Sequence, residues 1–429
     1  MTFLRLASRR TFASLRRHRN YRLFFFGQLT SVAGTWMQNI AMAWLVVQLA
    51  PTPHSRGIAV GLLAVCRFGP FTVLGLFAGV VTDRFDNRRT VIVTQAVQMV
   101  FSAVLALVTL LGHVQLWEVY AIAVLTGSAL VFDAPSRQNL TFRMVGRDEL
   151  PNAIALNSSL FNIARIFGPA LAGILIATVG SGWCFAINTV SFVAVLGGLL
   201  AMRVSELYPL LDRRRPTLWG GTREGLAYAL HNRTVLVILA MMVVFASICF
   251  NFNILLPLLA KNTLAAGPRT FGIISACFGA GALVGALLAA ALSRATWRVM
   301  LLGAGGFAVC ELLIAPVHST FVAGVLLFVC GVFFTSYSAN SNAVIQLASP
   351  DHIRGRVLGL YYYAWNGLAP LGAVRVGWMC DRGGTQLAFA VAGVVGLAMT
   401  ALAAVAVKPP RRFAPRRAQA EPATEQLAA

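Results

Sequence analysis

Three charged side chains lie inside otherwise apolar stretches, and their types and spacing suggest chemistry. Asp133 and Arg137 are four residues apart, which places them on one face of a helix, and Arg165 lies in the next apolar stretch. A charge inside a bilayer costs about 2.5–3.5 kcal/mol, so each needs a partner or a wet cavity. An Asp133–Arg137 or Asp133–Arg165 pair meets that need, either as a protonatable switch or as a static ion pair.

Three further charged residues interrupt apolar stretches. Glu311 is a second candidate for proton coupling, with a structural role as the alternative. Arg67 and Arg375 would attract an anionic or catechol-like ligand if they face a cavity, or would instead bond to backbone carbonyls.

The elements that must position these residues are apolar stretches long enough to cross a membrane. The chain is 58% hydrophobic and 11% charged, which is too apolar for a soluble protein of 429 residues. A spanning helix needs about 20 apolar residues. The sequence therefore predicts an all-α membrane protein with twelve transmembrane helices. The predicted spans are 22–50, 57–82, 90–112, 116–141, 151–179, 183–203, 233–260, 270–292, 298–317, 320–346, 355–379 and 385–407.

The basic residues predict the orientation of these spans. Most of the 35 lie in the N-terminal tail, in every second gap and in the C-terminal tail. Only Arg56, Lys261, Arg269 and Arg382 fall in the alternate gaps. Because basic residues beside a span stay in the cytoplasm, both termini are expected there. The net charge of +21 thus indicates contact with anionic lipid headgroups and no nucleic acid.

A repeat divides the chain into two related parts. The segment 146–173 is echoed by 349–373, so that Asp148 aligns with Asp351 and Pro169 with Pro370. Two pseudo-symmetric six-helix bundles with a site between them are typical of transporters. The predicted domains are an N-terminal tail (1–21), a first bundle (22–203), a cytoplasmic connector (204–232), a second bundle (233–407) and a disordered C-terminal tail (408–429).

Several catalytic signatures are absent from the sequence. It contains no phosphate-binding GxxxxGK[ST] loop and no HExxH or Cys/His cluster, so we expect no enzyme, cofactor or metal site. The seven cysteines lie almost entirely inside apolar spans, where packing is the simplest role.

The gap after the second span carries a family motif. The sequence from Gly79 through Asp83 and Arg84 to Arg88 and Arg89 resembles the signature loop of the major facilitator superfamily, GxLADRxGRRxxx, with Asp86 and Asn87 as departures. The resemblance implies the major facilitator fold. It also implies that Asp83 latches the two bundles together near the start of the eleventh helix, where a helix dipole favours a carboxylate. The alternative is that the loop arginines only set topology.

Other stretches are similar to one branch of that superfamily, the enterobactin-exporter and macrolide-efflux-like transporters. They are Asn20–Gln38, Asp133–Leu140 and Asp148–Ser158, and Gly168, Pro169 and Gly173 partly match the helix-5 signature of exporting members. In this superfamily the first, fourth, seventh and tenth helices line the cavity. The resemblance therefore makes candidates of Gln28, Gln38, Asn39, Asn251, Asn253, Tyr337 and Asn340, with aromatic walls from Trp36, Phe250, Phe252, Tyr361, Tyr362 and Tyr363. For any single one, helix packing is the alternative.

The expected function is proton-driven export of a small amphipathic molecule, such as a drug, macrolide or siderophore. It would proceed by rocker-switch alternating access from a monomer in the bacterial inner or plasma membrane. Two alternatives stay open, a proton-linked importer and a non-transporting membrane sensor or assembly partner. Substrate, protons and membrane lipids are the expected partners.

Overall fold

The structure, a computed structural model, describes residues 12–209, 218–292 and 296–407, except for the side chains of 76–84, 218–222, 290, 292, 351 and 352. Most of the predicted tails 1–21 and 408–429 and part of the predicted connector lie outside it. The described helices are α1 (Ala13–Arg17), α2 (Arg19–Leu49), α3 (Arg56–Arg84), α4 (Asn87–Leu110), α5 (Leu116–Thr178), α6 (Ser181–Leu200), α7 (Leu218–His231), α8 (Arg233–Val244), α9 (Phe252–Leu258), α10 (Pro268–Leu292), α11 (Trp297–Ile314), α12 (Thr320–Ala348), α13 (Asp351–Gly367) and α14 (Ala369–Ala406).

Two glycines with positive φ interrupt the two longest helices. α5 has 63 residues, which as one straight helix would extend about 95 Å, three times the hydrocarbon core. Gly146 breaks it with φ 71° and ψ −172°, and Gly384 breaks α14 with φ 69° and ψ 179°. Side chains with a Cβ rarely adopt these conformations. Both breaks lie in gaps that the sequence predicts between spans.

Nine stretches of the described chain are long and apolar enough to cross a membrane. They include the two that are broken by glycine, Leu116–Thr178 and Ile353–Ala406, and they exclude α2. The chain is therefore a multi-pass membrane protein, as the composition predicts. The count of twelve crossings stays a prediction.

π-helical turns interrupt one of these stretches, Arg233–Thr263. They span Phe245–Cys249, two residues before α9, and Leu259–Thr263, directly after it. Pro257 lies inside α9 and has no N–H to donate to the helix ladder. Such turns are common at functional sites because they locally change the direction of side chains.

Two close helix contacts join the N-terminal half (α2–α6) to the C-terminal half (α8–α14). Gly173 of α5 meets Gly272 of α10, where a Cβ on Gly173 would lie 2.8 Å from the Gly272 Cα. Gly57 of α3 packs equally closely against Gly377 of α14, since a Cβ on Gly57 would clash with the Gly377 carbonyl oxygen. Only glycine allows two backbones to approach this closely. The space that remains between the halves forms a large cavity.

Candidate functional site

A cavity of about 1880 Å³ lies between the two halves. It exceeds the roughly 300–1,000 Å³ of an ordinary ligand pocket, so it has room for a drug-sized molecule together with water. Its lining reaches the residues on both sides of the Gly146 break, from Gln138 to Asn157. The glycine contact at Gly57 lies at the opposite end of the helices.

Asp133 lies in the wall of this cavity, fully buried, and is surrounded by hydrogen-bond donors. Its Oδ1 accepts from Thr94 Oγ1 at 2.8 Å and from Gln95 Nε2 at 2.9 Å. Its Oδ2 accepts from Arg137 Nε at 2.9 Å and also contacts Arg137 Nη2. An ionised carboxylate, which only accepts, requires such an arrangement. Of the two pairs that the sequence allows for Asp133, the structure contains the one with Arg137.

Arg165 and Arg67 also line the cavity, and both have neutral partners. The Arg165 guanidinium lies 5.7 Å from the centroid of the Trp36 ring, and its buried Nε has no hydrogen-bond partner among the described residues. Arg67 donates a hydrogen bond from Nη1 to Asn39 Oδ1. Trp36 and Asn39 both lie on α2, so this helix presents contacts to each arginine.

A cluster of aromatic side chains from the C-terminal half also lines the cavity. Phe252 stacks on Phe278 with ring centroids 4.5 Å apart, and Phe334 lies 4.9 Å from Phe250 in an edge-to-face contact. Trp365 lies 5.3 Å from Phe250 and completes the cluster. All five rings line the cavity and belong to the C-terminal half. The cavity is therefore amphipathic: its described charged lining residues all belong to the N-terminal half, and this aromatic cluster belongs to the C-terminal half.

Some of the residues predicted from the sequence line this cavity, and other lining residues were not predicted. Gln28, Asn39, Arg67, Asn253, Trp36, Phe250 and Phe252 line it, together with Asp133, Arg137, Arg165 and Pro169. Phe278, Phe334 and Trp365 were missed, because an aromatic residue in an apolar span gives no signal of which way it faces. Gln95 and Thr94 were also missed, although a polar residue inside a span is such a signal.

Four polar candidates are buried in packing contacts outside the cavity lining. Gln38 accepts hydrogen bonds from Ser102 at 2.7 Å and Asn188 at 2.6 Å. Tyr337 stacks on Phe245 with centroids 4.8 Å apart. Asn251 donates to the carbonyl of Ile248 at 3.2 Å, and Asn340 donates to that of Ser336 at 2.8 Å.

Two charged candidates and three tyrosines also lie away from the cavity. Arg375 is exposed and donates to the Leu371 carbonyl on its own helix at 3.3 Å, which is the alternative role the sequence allows. Glu311 is fully buried on α11 beside Cys249. Tyr361, Tyr362 and Tyr363 are absent from the cavity lining, and the Tyr361 hydroxyl pairs with Ser341 at 2.8 Å.

The helix-5 signature lies where helices cross. Gly168 packs directly against Trp36, and Gly173 forms the contact with Gly272 described above. Pro169, between them, faces the cavity. The glycines therefore allow α5 to approach both α2 and α10 beside the arginine site.

The loop motif is described only in part. The side chains of Asp83 and Arg84, and the surroundings of Gly79, lie outside the described residues. Arg88 donates to the Leu199 carbonyl at 2.9 Å and the Leu200 carbonyl at 3.3 Å, at the C-terminus of α6. A cation is favourable at that end of a helix.

The departure from the motif at Asp86 has a structural role of its own. Asp86 is the N-cap of α4, since its Oδ1 accepts the Arg89 N–H at 2.9 Å, and its Oδ2 pairs with Arg143 at 3.0 Å. Burial raises the pKa of Asp86, but these hydrogen bonds and the positive charge of Arg143 outweigh burial, so its net pKa is lowered.

Asp381 joins the two halves at the end of the molecule near Gly57. Its carboxylate accepts the backbone N–H of Gly57 at 2.7 Å and of Ile58 at 2.8 Å, in the first turn of α3. Arg56 donates to Asn262 at 3.0 Å in the same region. Sequence reasoning missed Asp381, because its partner is 324 residues away in the chain.

Comparison with known proteins identifies the family. The profile of the transmembrane secretion effector family matches residues 9–427. The chain is 23% identical to the staphyloferrin A transporter of Staphylococcus aureus, covering 88% of this chain and 94% of that protein. It is 27% identical to the multidrug efflux pump Tap of Mycolicibacterium fortuitum (91% and 95%) and 21% identical to macrolide efflux protein A of Streptococcus pyogenes (89% and 95%).

Solved structures agree on the fold. The nucleoside transporter NupG superimposes with a TM-score of 0.67 at 11% identity, covering 89% of this chain and 98% of that one. The D-xylose-proton symporter gives 0.67 at 13% identity (90% and 98%). A bacterial homolog of the lysosomal transporter Spinster, inward-facing and unoccupied, gives 0.65 at 12% identity (91% and 95%).

The chain therefore belongs to the transmembrane secretion effector family of the major facilitator superfamily. This confirms the resemblance seen in the loop motif and the major facilitator fold. The relatives are membrane transporters, several of them efflux pumps, and are not enzymes.

Proposed function

We propose that this member of the transmembrane secretion effector family exports a small amphipathic organic molecule in exchange for protons. The observation that carries the proposal is the amphipathic cavity between the halves, which has charged side chains from the N-terminal half and a cluster of aromatic rings from the C-terminal half. Relatives described as multidrug and macrolide efflux proteins and as a siderophore transporter support it.

Alternating access follows from where the halves touch. Asp381 and the paired glycines hold the halves together at the Gly57 end, while the cavity lining continues to the Gly146 break at the other end. Under the predicted orientation this is a cytoplasm-facing state that is ready to load substrate. Rocking the halves about the cavity would break the contacts at Asp381 and close the end near Gly146. Asp83 and its loop are the proposed latch of that closed state.

Asp133 is the proposed proton-coupling residue. It lines the cavity and is paired with Arg137, so protonating it would remove the charge that holds the arginine. The freed guanidinium would then alter the contacts of the substrate wall. Glu311 is the weaker candidate because it lies outside that wall. A static Asp133–Arg137 pair is the alternative.

The decisive experiment uses the purified full chain in liposomes. A pH gradient is imposed, and movement of labelled macrolides, cationic and anionic drugs, and iron-free siderophores is followed, with protein-free liposomes and a protonophore as controls. Accumulation opposite to the direction of proton flow supports export. Accumulation with the protons would establish an importer, and no gradient-dependent movement of any compound would favour a sensor or assembly partner.

A further inference from the structure

We propose that the transported molecule is an anion whose carboxylate or phenolate-like oxygen binds between Arg67 and Arg165, with its apolar body against the aromatic wall. This inference rests on the proposed transport function and names the chemical class of the substrate.

The charges that face the cavity are predominantly positive. Among the described lining residues there are four arginines, Arg67, Arg137, Arg147 and Arg165, and a single acid, Asp133. Asp133 is already paired with Arg137. The cavity thus presents a field that favours anions and repels cations, and its low-dielectric walls strengthen that field.

Arg67 and Arg165 converge on one turn of α2. Arg67 bonds to Asn39, and Arg165 lies over Trp36. Residues three apart in a helix are neighbours on one face, with Cβ atoms about 5–6 Å apart. The two guanidiniums therefore reach adjacent points of the same helix face, one from α3 and one from α5, so that one small anionic group could contact both.

Neither arginine is neutralised by the protein. Among the described residues neither forms an ion pair, and their partners are an amide oxygen and an indole ring. The buried Nε of Arg165 has no hydrogen-bond partner there. An unpaired buried charge is costly, and a carboxylate would accept the planar donor fork of arginine.

Neutral hydrogen-bonding groups also line the cavity. Both amide atoms of Gln28, Gln98 Nε2 and Ser275 Oγ are buried, lack partners among the described residues and belong to residues that line the cavity. They would bond to the remaining polar atoms of a substrate. A purely apolar ligand would leave all of them unsatisfied, which is unfavourable for buried polar groups.

The aromatic cluster of the C-terminal half would bind the apolar body of the molecule. The rings of Phe252, Phe278, Phe334 and Trp365 form a continuous apolar surface in the C-terminal half. A ligand that spans the cavity would contact arginine in one half and aromatic rings in the other. An amphipathic anion thereby bridges both halves, as a molecule that moves with their rocking must.

The test uses three naphthalene probes of similar size and different charge. 1-Naphthaleneacetate is the anion, 1-naphthaleneacetamide the neutral form and 1-naphthaleneethylamine the cation, and their binding to the full chain in lipid nanodiscs is measured by calorimetry. We expect the anion to bind at least about tenfold more tightly than the amide, because a hydrogen bond to a charged group contributes about 1.5–3 kcal/mol.

Substitutions then locate the preference. Arg67→Gln and Arg165→Gln should each lower affinity for the anion more than affinity for the amide, and so reduce the preference for the anion. The matched control is Arg375→Gln, which makes the same change on an exposed arginine outside the cavity. Size-exclusion profiles and melting curves of each variant confirm that it is folded.

The inference would be overturned by equal affinities for the three probes, by preference for the amine, by no measurable binding of any of them, or by an anion preference that survives both glutamine variants. The liposome assay separates this outcome from failure of the proposed function. Gradient-driven movement without charge preference would refute only the substrate class, while tight anion binding without any movement would refute only transport.

Discussion

Asp381 caps the first turn of α3 from the opposite half of the molecule, accepting the Gly57 N–H at 2.7 Å. The first N–H groups of a helix have no partner within the helix, and the dipole makes that end attractive to a carboxylate. The contact joins α3 to α14 across the boundary between the halves. In the proposed rocking mechanism it forms part of the closed end of the transport path.

Removing this carboxylate should loosen that end. Asp381→Ala deletes both hydrogen bonds, which at about 1–3 kcal/mol in total corresponds to an increase in opening of about 5- to 150-fold. We expect faster hydrogen–deuterium exchange in Arg56–Gly61, measured by mass spectrometry on the full chain. Arg382→Ala is the control. Arg382 is the next residue in the chain, and its guanidinium lies over the Trp378 ring of its own helix. Unchanged exchange in Asp381→Ala would mean that the cap does not hold the halves together.

Asp133 and Glu311 give a direct test of proton coupling. Asp133→Asn keeps the size of the side chain but cannot titrate, so pH-gradient-driven accumulation should fall to the level seen without a gradient. Exchange of labelled for unlabelled substrate, which needs no net proton movement, should persist. Glu311→Gln changes a carboxylate away from the cavity and should retain coupling. Gradient-driven accumulation by Asp133→Asn would instead show that its pair with Arg137 is static.

The start of α4 offers a pH-dependent prediction. The lowered pKa of Asp86 means that its charge stabilises the folded protein above the unfolded-state pKa of about 3.9, and that this contribution is lost as the pH falls through the folded-state value. Asp86→Asn retains a capping oxygen and removes the charge. Because Asp86 is partly exposed, the loss at pH 7 should be only about 0.2–1 kcal/mol.

Melting curves in detergent at pH 7 and below pH 3 measure this effect. The difference between Asp86→Asn and wild type should shrink at the lower pH, because protonation of Asp86 removes the charge on which the difference depends. Asp86→Ala also removes the cap and should cost about 0.5–2 kcal/mol more, at both pH values. A difference between Asp86→Asn and wild type that does not depend on pH would contradict the charge assignment.

The glycine contact between α5 and α10 can be tested by adding one methyl group. A Cβ on Gly272 would lie 2.7 Å from the Gly173 Cα, so Gly272→Ala must push the helices apart. We expect a loss of about 1–3 kcal/mol in stability and slower transport. Gly197→Ala is the control, because nothing lies within 4 Å of a Cβ there. Melting temperatures of the two variants in one detergent make the comparison, and equal values would contradict the close contact.

Membrane-spanning character, family and candidate charges followed from the sequence alone. Spans are readable because insertion into a bilayer depends on the summed hydropathy of about 20 residues, whatever direction each side chain faces. A charge inside a span is conspicuous because its cost is large. For that reason Asp133, Arg137, Arg165 and Arg67 could be named as candidate site residues without coordinates, and all four line the cavity.

Only the tertiary structure decided which polar residue faces the cavity and which partner it has. Gln28 and Gln38 lie on the same helix, yet Gln28 faces the cavity while Gln38 bonds to Ser102 and Asn188. Asp133 pairs with Arg137 although Arg165 is equally plausible by sequence. Asp381 meets Gly57 across 324 residues. The physical reason is that these contacts depend on how each helix is rotated and packed against its neighbours, which the packing of all the side chains in the bundle determines together.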